Sequence, residues 1–225
     1  MISSRRYALS IGKQDRYNRN KIFVAECRKY RTVLETGCST GFLSRQIAEA
    51  GVRVTGIEVD LDAAEQARAA CARVLTVSLN DSNWKASVGE RFDLITFGDV
   101  LEHLNHPQTV LEDAKGLLNP GGRVLLCLPN IAHWSVRAKL MVGKFNYQST
   151  GVLDVTHLRF FTLASARSMI QQAGYRELWF RPIFGGRFTN SLRSLWNVLA
   201  HVIPGAFAYQ MMFLVEPQNS DETID

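Results

Sequence analysis

Cysteines and long apolar runs are both scarce in this sequence, and their scarcity excludes several classes of protein. The 225 residues include four cysteines, none in a C-x-x-C pair, so neither a disulfide framework nor a zinc site is predicted. The most apolar stretch, from Leu195 to Val215, is interrupted by a histidine, a proline and a glycine, which makes it a poor membrane-spanning helix. The start of the chain lacks the apolar run of a signal peptide. We therefore expect a cytoplasmic protein with reduced thiols.

The net charge of the chain is also small. Lysine and arginine number 26 against 21 aspartate and glutamate, and the resulting net charge of +5 does not indicate a nucleic-acid partner. The excess lies at the start of the chain, where the bases are Arg5, Arg6, Lys13, Arg16, Arg19, Lys21, Arg28, Lys29 and Arg31. Residues 1–30 are therefore predicted to be a basic helical segment. It is either an ordinary solvated helix face or a surface for phosphates, an acidic substrate or anionic lipid, which leaves peripheral membrane contact open.

What the sequence has is a regular alternation of apolar strands and helices. Hydrophobic residues make up 46% of the chain, which is typical of a globular domain, and residues 1–225 are predicted to form a single domain. The predicted strands are 32–34, 52–57, 74–77, 92–97, 123–128, 177–184 and 208–215. The predicted helices are 42–50, 60–72, 107–118 and 162–173. This order predicts an α/β fold, doubly wound around a mostly parallel seven-stranded sheet.

The alternation breaks after the fifth strand. Residues 129–161 are rich in aromatic and polar side chains and are too long for an ordinary connection, so they are predicted to form a cap inserted over the site. Residues 217–225 are polar and acidic, and we expect a frayed tail there.

A glycine turn after the first strand carries the central motif. Glu35 ends the strand, and Gly37 and Gly41 follow it before the next helix begins. Glycines at such a turn let the backbone approach a ligand closely. A dinucleotide fingerprint would have glycines where Ser39 and Phe42 stand, which disfavours a nicotinamide oxidoreductase.

The E-x-G-x-x-x-G pattern instead resembles the cofactor loop of class I methyltransferases that use S-adenosylmethionine (SAM). The resemblance implies the Rossmann-like SAM methyltransferase fold, with SAM as cofactor and S-adenosylhomocysteine (SAH) as product. It also implies that Glu35 helps to hold the ammonium group of the cofactor's amino-acid half. Loop residues implied to line the methionine half are Gly37, Cys38, Ser39, Gly41 and Phe42. Family members usually have glycine where Ser39 stands, and serine is small enough to fit.

Three further motifs follow in the family's order. Glu58, at the end of the second strand, can accept hydrogen bonds from both ribose hydroxyls, with Val59 beside it. The family's usual acid near the adenine aligns with Ser78, a departure that moves the expected contacts to Leu79, Asn80 and Asp81. The string D-V-L-E-H-L after the fourth strand is typical of methyltransferases that include the ubiquinone O-methyltransferases. It implies that Gly98, Asp99, Val100 and His103 line the cofactor near its methyl group, whereas Glu102 is expected to be structural.

The cap sequence resembles methyltransferases of the type 11/12-like group that are linked to bacterial surface polysaccharide and lipopolysaccharide biosynthesis. Its aromatic rings offer faces on which a sugar can stack, and its polar groups could bond hydroxyls or an acidic group. The predicted substrate residues are Asn130, Trp134, Tyr147, Asp154, His157 and Arg159. Ordinary packing of a lid is the alternative interpretation of all of them.

Histidines are the predicted acid–base groups. A hydroxyl acceptor has a very high pKa and benefits from a base, and histidine titrates near neutrality. His157 is favoured because it lies in the cap, His103 is the second candidate and His133 the third. Because no metal-ligand spacing stands out, the sequence predicts a metal-independent enzyme.

The resulting prediction is SAM-dependent methyl transfer to a small-molecule or glycan acceptor, with a sugar hydroxyl as the leading case. Two alternatives remain open: O-methylation of a quinone-like or lipid acceptor, and a non-catalytic SAM-binding regulatory protein. The sequence is compatible with a monomer or a homodimer.

Overall fold

Seven strands form one sheet whose central members are buried on both faces. The computed structural model describes residues 13–184 and 198–218. The strands are β1 Thr32–Thr36, β2 Arg53–Ile57, β3 Arg73–Leu75, β4 Phe92–Gly98, β5 Leu118–Pro129, β6 Tyr175–Ile183 and β7 Gln210–Pro217. Their order is β3-β2-β1-β4-β5-β7-β6, and only β7 runs antiparallel to its neighbours. The predicted seven-stranded, mostly parallel sheet is confirmed.

Helices cover both faces of this sheet. They are α1 Lys13–Cys27, α2 Phe42–Ala48, α3 Leu61–Ala67, α4 Trp84–Val88, α5 Pro107–Ala114, α6 Trp134–Met141 and α7 Leu163–Gln172, with a short helix at Pro204–Phe207. Side chains cap two of these helices. Asp60 accepts a hydrogen bond from the Ala63 N–H at 3.0 Å, and Thr162 forms a reciprocal capping box with Ser165.

Several elements differ from the sequence prediction. The helix predicted over 60–72 ends at Ala67, because the chain already turns toward the sheet there and the Ala72 N–H donates to the Val54 carbonyl at 2.8 Å. Residues 119–122, between the predicted helix 107–118 and the predicted strand 123–128, lie within β5, where the register against β4 shifts and Gly121 has a φ of 75°. Helix α4 is absent from the sequence prediction because it is only five residues long.

The two faces of the sheet bury separate clusters. One cluster contains Leu34, Ile95 and Phe213, whereas the other contains Leu94 and also Phe23 from α1. Because side chains alternate between the faces of a strand, the neighbours Leu94 and Ile95 belong to opposite clusters. The near-continuous apolar runs in the sequence therefore correspond to strands that are covered on both sides.

The topology places a ligand crevice at the carboxyl ends of β1 and β4. The chain passes from β1 to β2 on one side, and β4 lies on the other, so the strand order reverses between β1 and β4. Ligands of open α/β sheets bind outside the carboxyl ends of the strands at such a reversal. The predicted cofactor motifs all follow the ends of β1, β2, β3 and β4.

The segment predicted as a cap leaves and rejoins the sheet at one point. Asn130 pairs with Phe161 in an isolated bridge, and the Ile131 N–H donates to the Phe161 carbonyl at 2.9 Å. Helix α6 and the chain that follows it lie between these two points. That this segment covers a substrate remains a prediction.

Two other predictions bear on the ends of the chain and on membranes. Part of the predicted basic segment forms α1, whereas residues 1–12 lie outside the described ranges, as do residues 219–225 of the predicted tail. None of the helices described in residues 13–184 and 198–218 has the length and the apolar character needed to cross a bilayer.

Candidate functional site

The turn after β1 has the backbone geometry of a ligand cradle. Gly37 and Gly41 have φ angles of 64° and 78°, in the left-handed region that favours glycine. A Cβ on Gly37 would lie 2.7 Å from a methyl carbon of Val100, and one on Gly41 would lie 3.0 Å from the Cα of Ala67. Because side chains at these positions would collide with their neighbours, the turn is restricted to glycine.

Ser39 takes up the same left-handed conformation without being a glycine. Its φ is 50°, which costs a non-glycine residue about 1–2 kcal/mol. Its N–H donates to the Glu58 Oε2 at 2.8 Å, so the loop is tied to the end of β2. The departure from the family's glycine is therefore accommodated by strain, and the loop keeps its shape.

Glu58 holds the second side of the cradle. Its carboxylate also accepts the Asp60 N–H at 3.0 Å, and the residue is buried. A carboxylate has about four lone-pair sites, so two backbone donors leave capacity for hydroxyl donors from a ribose. Phe42 and Val59 flank this region and are each 64% exposed, an unusual exposure for large apolar side chains.

Glu35 is the buried acid of the loop. Its Oε2 accepts a hydrogen bond from the Ser44 hydroxyl at 2.5 Å, and the side chain is almost completely buried. Burial raises the pKa of Glu35 to about 8, although the Ser44 hydrogen bond lowers it. An uncharged acid at neutral pH is poised to ionise when a cation arrives, which fits the ammonium of an amino-acid ligand.

The loop after β3 is shaped by Ser78. The Ser78 carbonyl accepts the Asp81 N–H at 3.0 Å, and its hydroxyl accepts the Asn80 N–H at 3.2 Å. Leu79 is buried, whereas Asn80 and Asp81 are exposed. The Asn80 Oδ1 accepts the Asn105 N–H at 2.9 Å, which joins this loop to the segment after β4. Ser78 thus has a turn-forming role at the position where the family usually has an acid.

Replacing two acids, Glu58 and Asp81, gives a direct test of the cradle. Glu58→Ala should weaken SAH binding by about tenfold to a hundredfold, because hydrogen bonds to a charged group contribute roughly 1.5–3 kcal/mol. Asp81→Ala, the matched removal of an exposed carboxylate, should change SAH binding by less. Isothermal titration calorimetry measures both, and an equal or larger loss at Asp81 would show that the adenine loop is misplaced.

The end of β4 contains a buried ion pair that the sequence analysis missed. Asp99 has a φ of 59°, and its carboxylate pairs with Arg19 of α1 and accepts a hydrogen bond from Gln210 of β7 at 2.6 Å. Both side chains of the ion pair are nearly buried. Arg19 is one of nine bases in a basic segment, and nothing in its sequence context separates it from a solvated lysine or arginine. Its contact links the N-terminal helix to the site.

A cluster of one acid and two histidines follows the same strand end. The His103 and His157 rings meet edge to face with centroids 4.8 Å apart, and the His157 Nε2 lies 3.9 Å from the Glu102 Oε1. Glu102 is fully buried, and neither of its carboxyl oxygens has a hydrogen-bond partner among the described residues. Its backbone carbonyl accepts the Leu158 and Arg159 N–H groups at 2.8 and 3.0 Å. The cap is thereby fixed to the turn after β4.

Burial shifts the protonation of this cluster toward neutral forms. It raises the pKa of Glu102 well above its usual value, and the nearby charge of Asp99 adds to the effect. It lowers the pKa of His157, and the charge of His103 lowers it further. A neutral His157 beside a protonated Glu102 avoids a buried charge.

The two histidines differ in their access to a substrate. The Nδ1 of His103 lies 3.1 Å from the Thr156 carbonyl, and an N–H donor at Nδ1 would leave Nε2 as the acceptor nitrogen of the ring. His103 is half-buried, whereas the His157 side chain is only 2% exposed and its Nε2 faces Glu102. The sequence analysis favours His157 as the base, but this geometry favours His103 for contact with an acceptor.

Three of the other predicted substrate residues make hydrogen bonds to neighbouring groups of the protein. Asn130 is fully buried, donates to the Ala208 and Gly205 carbonyls and accepts the Ala132 N–H, so its amide joins backbone segments. The buried Asp154 accepts the Thr156 N–H and hydroxyl and holds the residue that contacts His103. Arg159 donates to the Asn105 carbonyl at 2.8 Å.

Trp134 and Tyr147 lie farther along the cap. Trp134 begins α6 and contacts the ring of His133, whereas Tyr147 is 56% exposed. His133 caps α6, and burial lowers its pKa to about 4, so this third candidate base is a weak one. Contacts of any cap residue with a substrate remain predictions.

The Glu102, His103 and His157 cluster is also where the described residues could hold a cation. Each side chain offers a ligand atom, and these atoms lie within 4.8 Å of one another. Carboxylate and imidazole ligands suit zinc and other divalent transition metals. The prediction of a metal-independent enzyme can therefore be tested at this cluster.

A family model described as "Methyltransferase domain" matches residues 6–178 of the chain. The chain belongs to this family. The match covers all the cofactor motifs and the whole of the cap, so it includes the strand ends that form the crevice. The predicted class I SAM-dependent methyltransferase family is confirmed.

Curated relatives of this methyltransferase match less than half of the chain. It is 34% identical over 108 residues to the ubiquinone biosynthesis O-methyltransferase of Haemophilus ducreyi, which covers 44% of this chain and 46% of that protein. It is 30% identical over 105 residues to the protein of the same name from Coxiella burnetii, covering 45% of each. The chain thus spans about half the length of the curated relatives it matches.

Solved structures resemble the methyltransferase over nearly its whole length. The magnesium protoporphyrin IX methyltransferase of Synechocystis PCC 6803 with bound SAH has a TM-score of 0.63 at 15% identity, covering 91% of this chain and 84% of that one. The N-methyltransferase NodS of Bradyrhizobium japonicum has a TM-score of 0.61 at 14% identity, covering 92% and 98%. At such identities the likeness shows the fold, which is the predicted SAM methyltransferase fold.

Proposed function

We propose that this methyltransferase transfers a methyl group from SAM to a hydroxyl of a sugar or another glycan-linked acceptor. The observation that carries the proposal is the cluster of His103, His157 and Glu102 beside Gly98 and Asp99. It brings candidate acid–base groups to the strand end that also forms the cofactor crevice. We further propose a cytoplasmic location and a role in polysaccharide biosynthesis.

The residues of the cradle fit SAM. Gly37 is restricted to glycine by the approach of Val100, Glu58 has acceptor capacity for a ribose, and the buried Glu35 suits an ammonium group. When bound, SAM supplies an electrophilic methyl group on a sulfonium. The protein's part is to align the acceptor with that methyl group, because positioning supplies much of the rate in such a displacement.

Methyl transfer to a hydroxyl also requires a group that accepts the hydroxyl proton. Through its Nε2 lone pair, His103 accepts that proton as the oxygen attacks, and the Thr156 carbonyl holds the ring by the bond to Nδ1. His157 and Glu102 lie behind His103 and fix its ring from the buried side. Loss of such a base typically removes about a hundredfold to ten-thousandfold in rate.

The cap supports a sugar by its aromatic side chains. The rings of Phe145 and Tyr147 meet edge to face at 5.7 Å, and Phe160 lies 6.1 Å from Phe145 and 6.2 Å from His157. These rings lead from the exposed Tyr147 toward the histidine cluster. Aromatic faces of this kind bind the apolar faces of sugar rings.

A quinone-like or lipid acceptor is the second candidate. The relatives named as ubiquinone biosynthesis O-methyltransferases favour it, because they are 34% and 30% identical to the chain over 108 and 105 residues. A phenolic hydroxyl is more acidic than a sugar hydroxyl and would depend less on His103.

Product analysis tests the proposed function. The enzyme is incubated with isotopically labelled SAM and a panel of sugar nucleotides, glycolipids and quinone precursors, and labelled products are identified by mass spectrometry. We expect a labelled sugar product and stoichiometric SAH. Label in a quinone precursor alone would select the second candidate, and SAH affinity without turnover on any panel member would favour a regulatory SAM-binding protein.

Chelation tests metal independence at the histidine cluster. We expect that EDTA treatment followed by gel filtration leaves kcat within twofold of the untreated enzyme, because the proposed role of His103 requires a proton acceptor and no cation. Added Zn²⁺ should inhibit by occupying Glu102, His103 and His157. A loss of activity that Mg²⁺ or Zn²⁺ restores would contradict this prediction.

A further inference from the structure

The end of α6 exposes an apolar tip to solvent. Leu140, Met141 and Val142 are consecutive in sequence and are 56%, 88% and 67% exposed. Single exposed apolar residues are ordinary on protein surfaces, whereas a run of three large ones at the end of a helix is a candidate interaction site.

The tip is held in a defined shape by the residues beneath it. Val136, earlier in α6, packs in a small buried cluster with Val152 and Leu153. The helix ends with Gly143 in the left-handed conformation, at a φ of 71°, and the Lys144 N–H donates to the Lys139 carbonyl at 2.9 Å. This closure is the Schellman arrangement of a helix end, and it brings the backbones of the two lysines together.

Basic residues flank the tip, and the stretch of sequence around it contains no acid. Arg137, Lys139 and Lys144 are exposed, and the sequence contains no aspartate or glutamate from Ile131 to Leu153. A cavity of about 400 Å³ opens beside the tip. It is lined by Ala138, Lys139, Val142, Lys144, Asn146 and Gln148. Two ammonium groups and two amides around a cavity favour an anionic group with several oxygens.

We propose that this surface docks the enzyme onto an anionic lipid bilayer. Leu140, Met141 and Val142 enter the interface between headgroups and acyl chains, while Lys139 and Lys144 bind lipid phosphates. Apolar residues that insert and basic residues that remain at the headgroups are the combination that peripheral proteins use at anionic membranes. A second copy of this chain is disfavoured as the occupant, because two such basic surfaces would repel each other.

This docking goes beyond the proposed methyl transfer and does not depend on it, since binding to vesicles is measured without SAM or an acceptor. Docking would nevertheless bring the enzyme close to a lipid-linked acceptor. The surface lies on the segment that returns to His157, so an enzyme bound in this way would present its cap to molecules in the membrane.

Vesicle co-sedimentation tests the proposal with the full chain. Vesicles of phosphatidylcholine containing a third phosphatidylglycerol should bind the parent, and pure phosphatidylcholine vesicles should bind it at least tenfold more weakly. The variant Lys139→Gln/Lys144→Gln should lose about tenfold or more of the binding to anionic vesicles, because each base near such a surface contributes on the order of 1 kcal/mol. The variant Met141→Ser/Val142→Ser should lose binding that persists at high salt.

A matched control separates this surface from overall charge. Arg68→Gln/Lys85→Gln removes the same two charges from α3 and α4, where both side chains are half-exposed in surface ion pairs, and should bind like the parent. The basic N-terminal segment is present in every variant, so any lipid affinity it has appears equally in all of them. Soluble glycerol phosphate at millimolar concentration should not displace the protein from vesicles.

Four results would overturn the proposal. The first is equal binding to neutral and anionic vesicles, and the second is an equal loss in the control variant. The third is a parent dimer in sedimentation velocity that Met141→Ser/Val142→Ser dissociates, which would make the tip a contact between copies. The fourth is displacement of the protein from vesicles by soluble glycerol phosphate, which would assign the cavity to a soluble phosphate ligand and exclude the bilayer.

Discussion

Replacing His103 by alanine should lower kcat by about a hundredfold to ten-thousandfold on the true acceptor, the usual loss when a general base is removed. SAH affinity should stay within a few-fold, because His103 contacts the cap through Thr156 and the cradle is formed by Glu35, Gly37 and Glu58. Steady-state kinetics and calorimetry on the same preparation separate the two effects.

His106 provides the control for that prediction. It lies three residues further on, is exposed, and begins α5, so His106→Ala should turn over like the parent. His157→Ala should lower stability as well as kcat, because it opens a cavity beside the buried Glu102. If His103→Ala and His157→Ala both turn over like the parent, positioning alone carries catalysis.

Replacing Glu35 by glutamine should remove a pH dependence from the free energy of unfolding. Burial raises the pKa of Glu35 to about 8 in the folded protein, whereas the pKa of a glutamate in the unfolded chain lies near its ordinary value of 4.5. The folded state therefore keeps a proton that the unfolded state loses, and stability falls as the pH rises from about 4.5 to 8. The loss should amount to a few kcal/mol, since one unit of pKa corresponds to about 1.4 kcal/mol.

Denaturant unfolding at pH 5 and pH 8 measures this effect. The free energy of unfolding of Glu35→Gln should match that of the parent at pH 5 and exceed it at pH 8. Glu49 is an exposed acid in the loop after α2, so Glu49→Gln should change the free energy of unfolding at neither pH. A Glu35→Gln variant that is less stable than the parent at pH 8 would show that the carboxyl group is ionised in the free protein.

Ligand binding by the same variant tests the role assigned to Glu35. We expect SAH to bind about tenfold to a hundredfold more weakly, because a charge-assisted hydrogen bond to the ammonium is lost. 5′-Methylthioadenosine lacks the amino-acid half and should bind the parent and Glu35→Gln alike. An equal loss for both ligands would place Glu35 in a structural role.

Sequence patterns were sufficient for the sheet because burial on both faces leaves long apolar runs. The strand ends at Glu35, Glu58 and Gly98 could be placed within a residue or two, since each run stops at a polar or glycine-rich turn. Helix ends were less predictable. The alanine-rich run after Asp60 has high helix propensity throughout, and only the bond from the Ala72 N–H to β2 ends the helix early.

The candidate site was predictable where one strand end or turn holds its residues, as at Gly37 and Glu58. It was unpredictable where distant segments meet. Arg19 reaches Asp99 across 80 residues, and Glu102 reaches His157 of the cap, so neither pairing leaves a spacing in the sequence. Glu102, expected to be structural, is a buried carboxyl group without a hydrogen-bond partner among the described side chains, which its sequence context does not indicate.

The position of the transferred methyl group is the most direct measurement of the central claim. Product formed from SAM carrying a ¹³C-labelled methyl group is examined by heteronuclear NMR, where the methyl carbon correlates with the atom that bears the new bond. The account predicts an O-methyl signal coupled to a ring carbon of a sugar that carries a hydroxyl in the acceptor. A methyl group bound to nitrogen, carbon or a carboxylate oxygen would contradict it, because the account assigns His103 to accept the proton of a sugar hydroxyl.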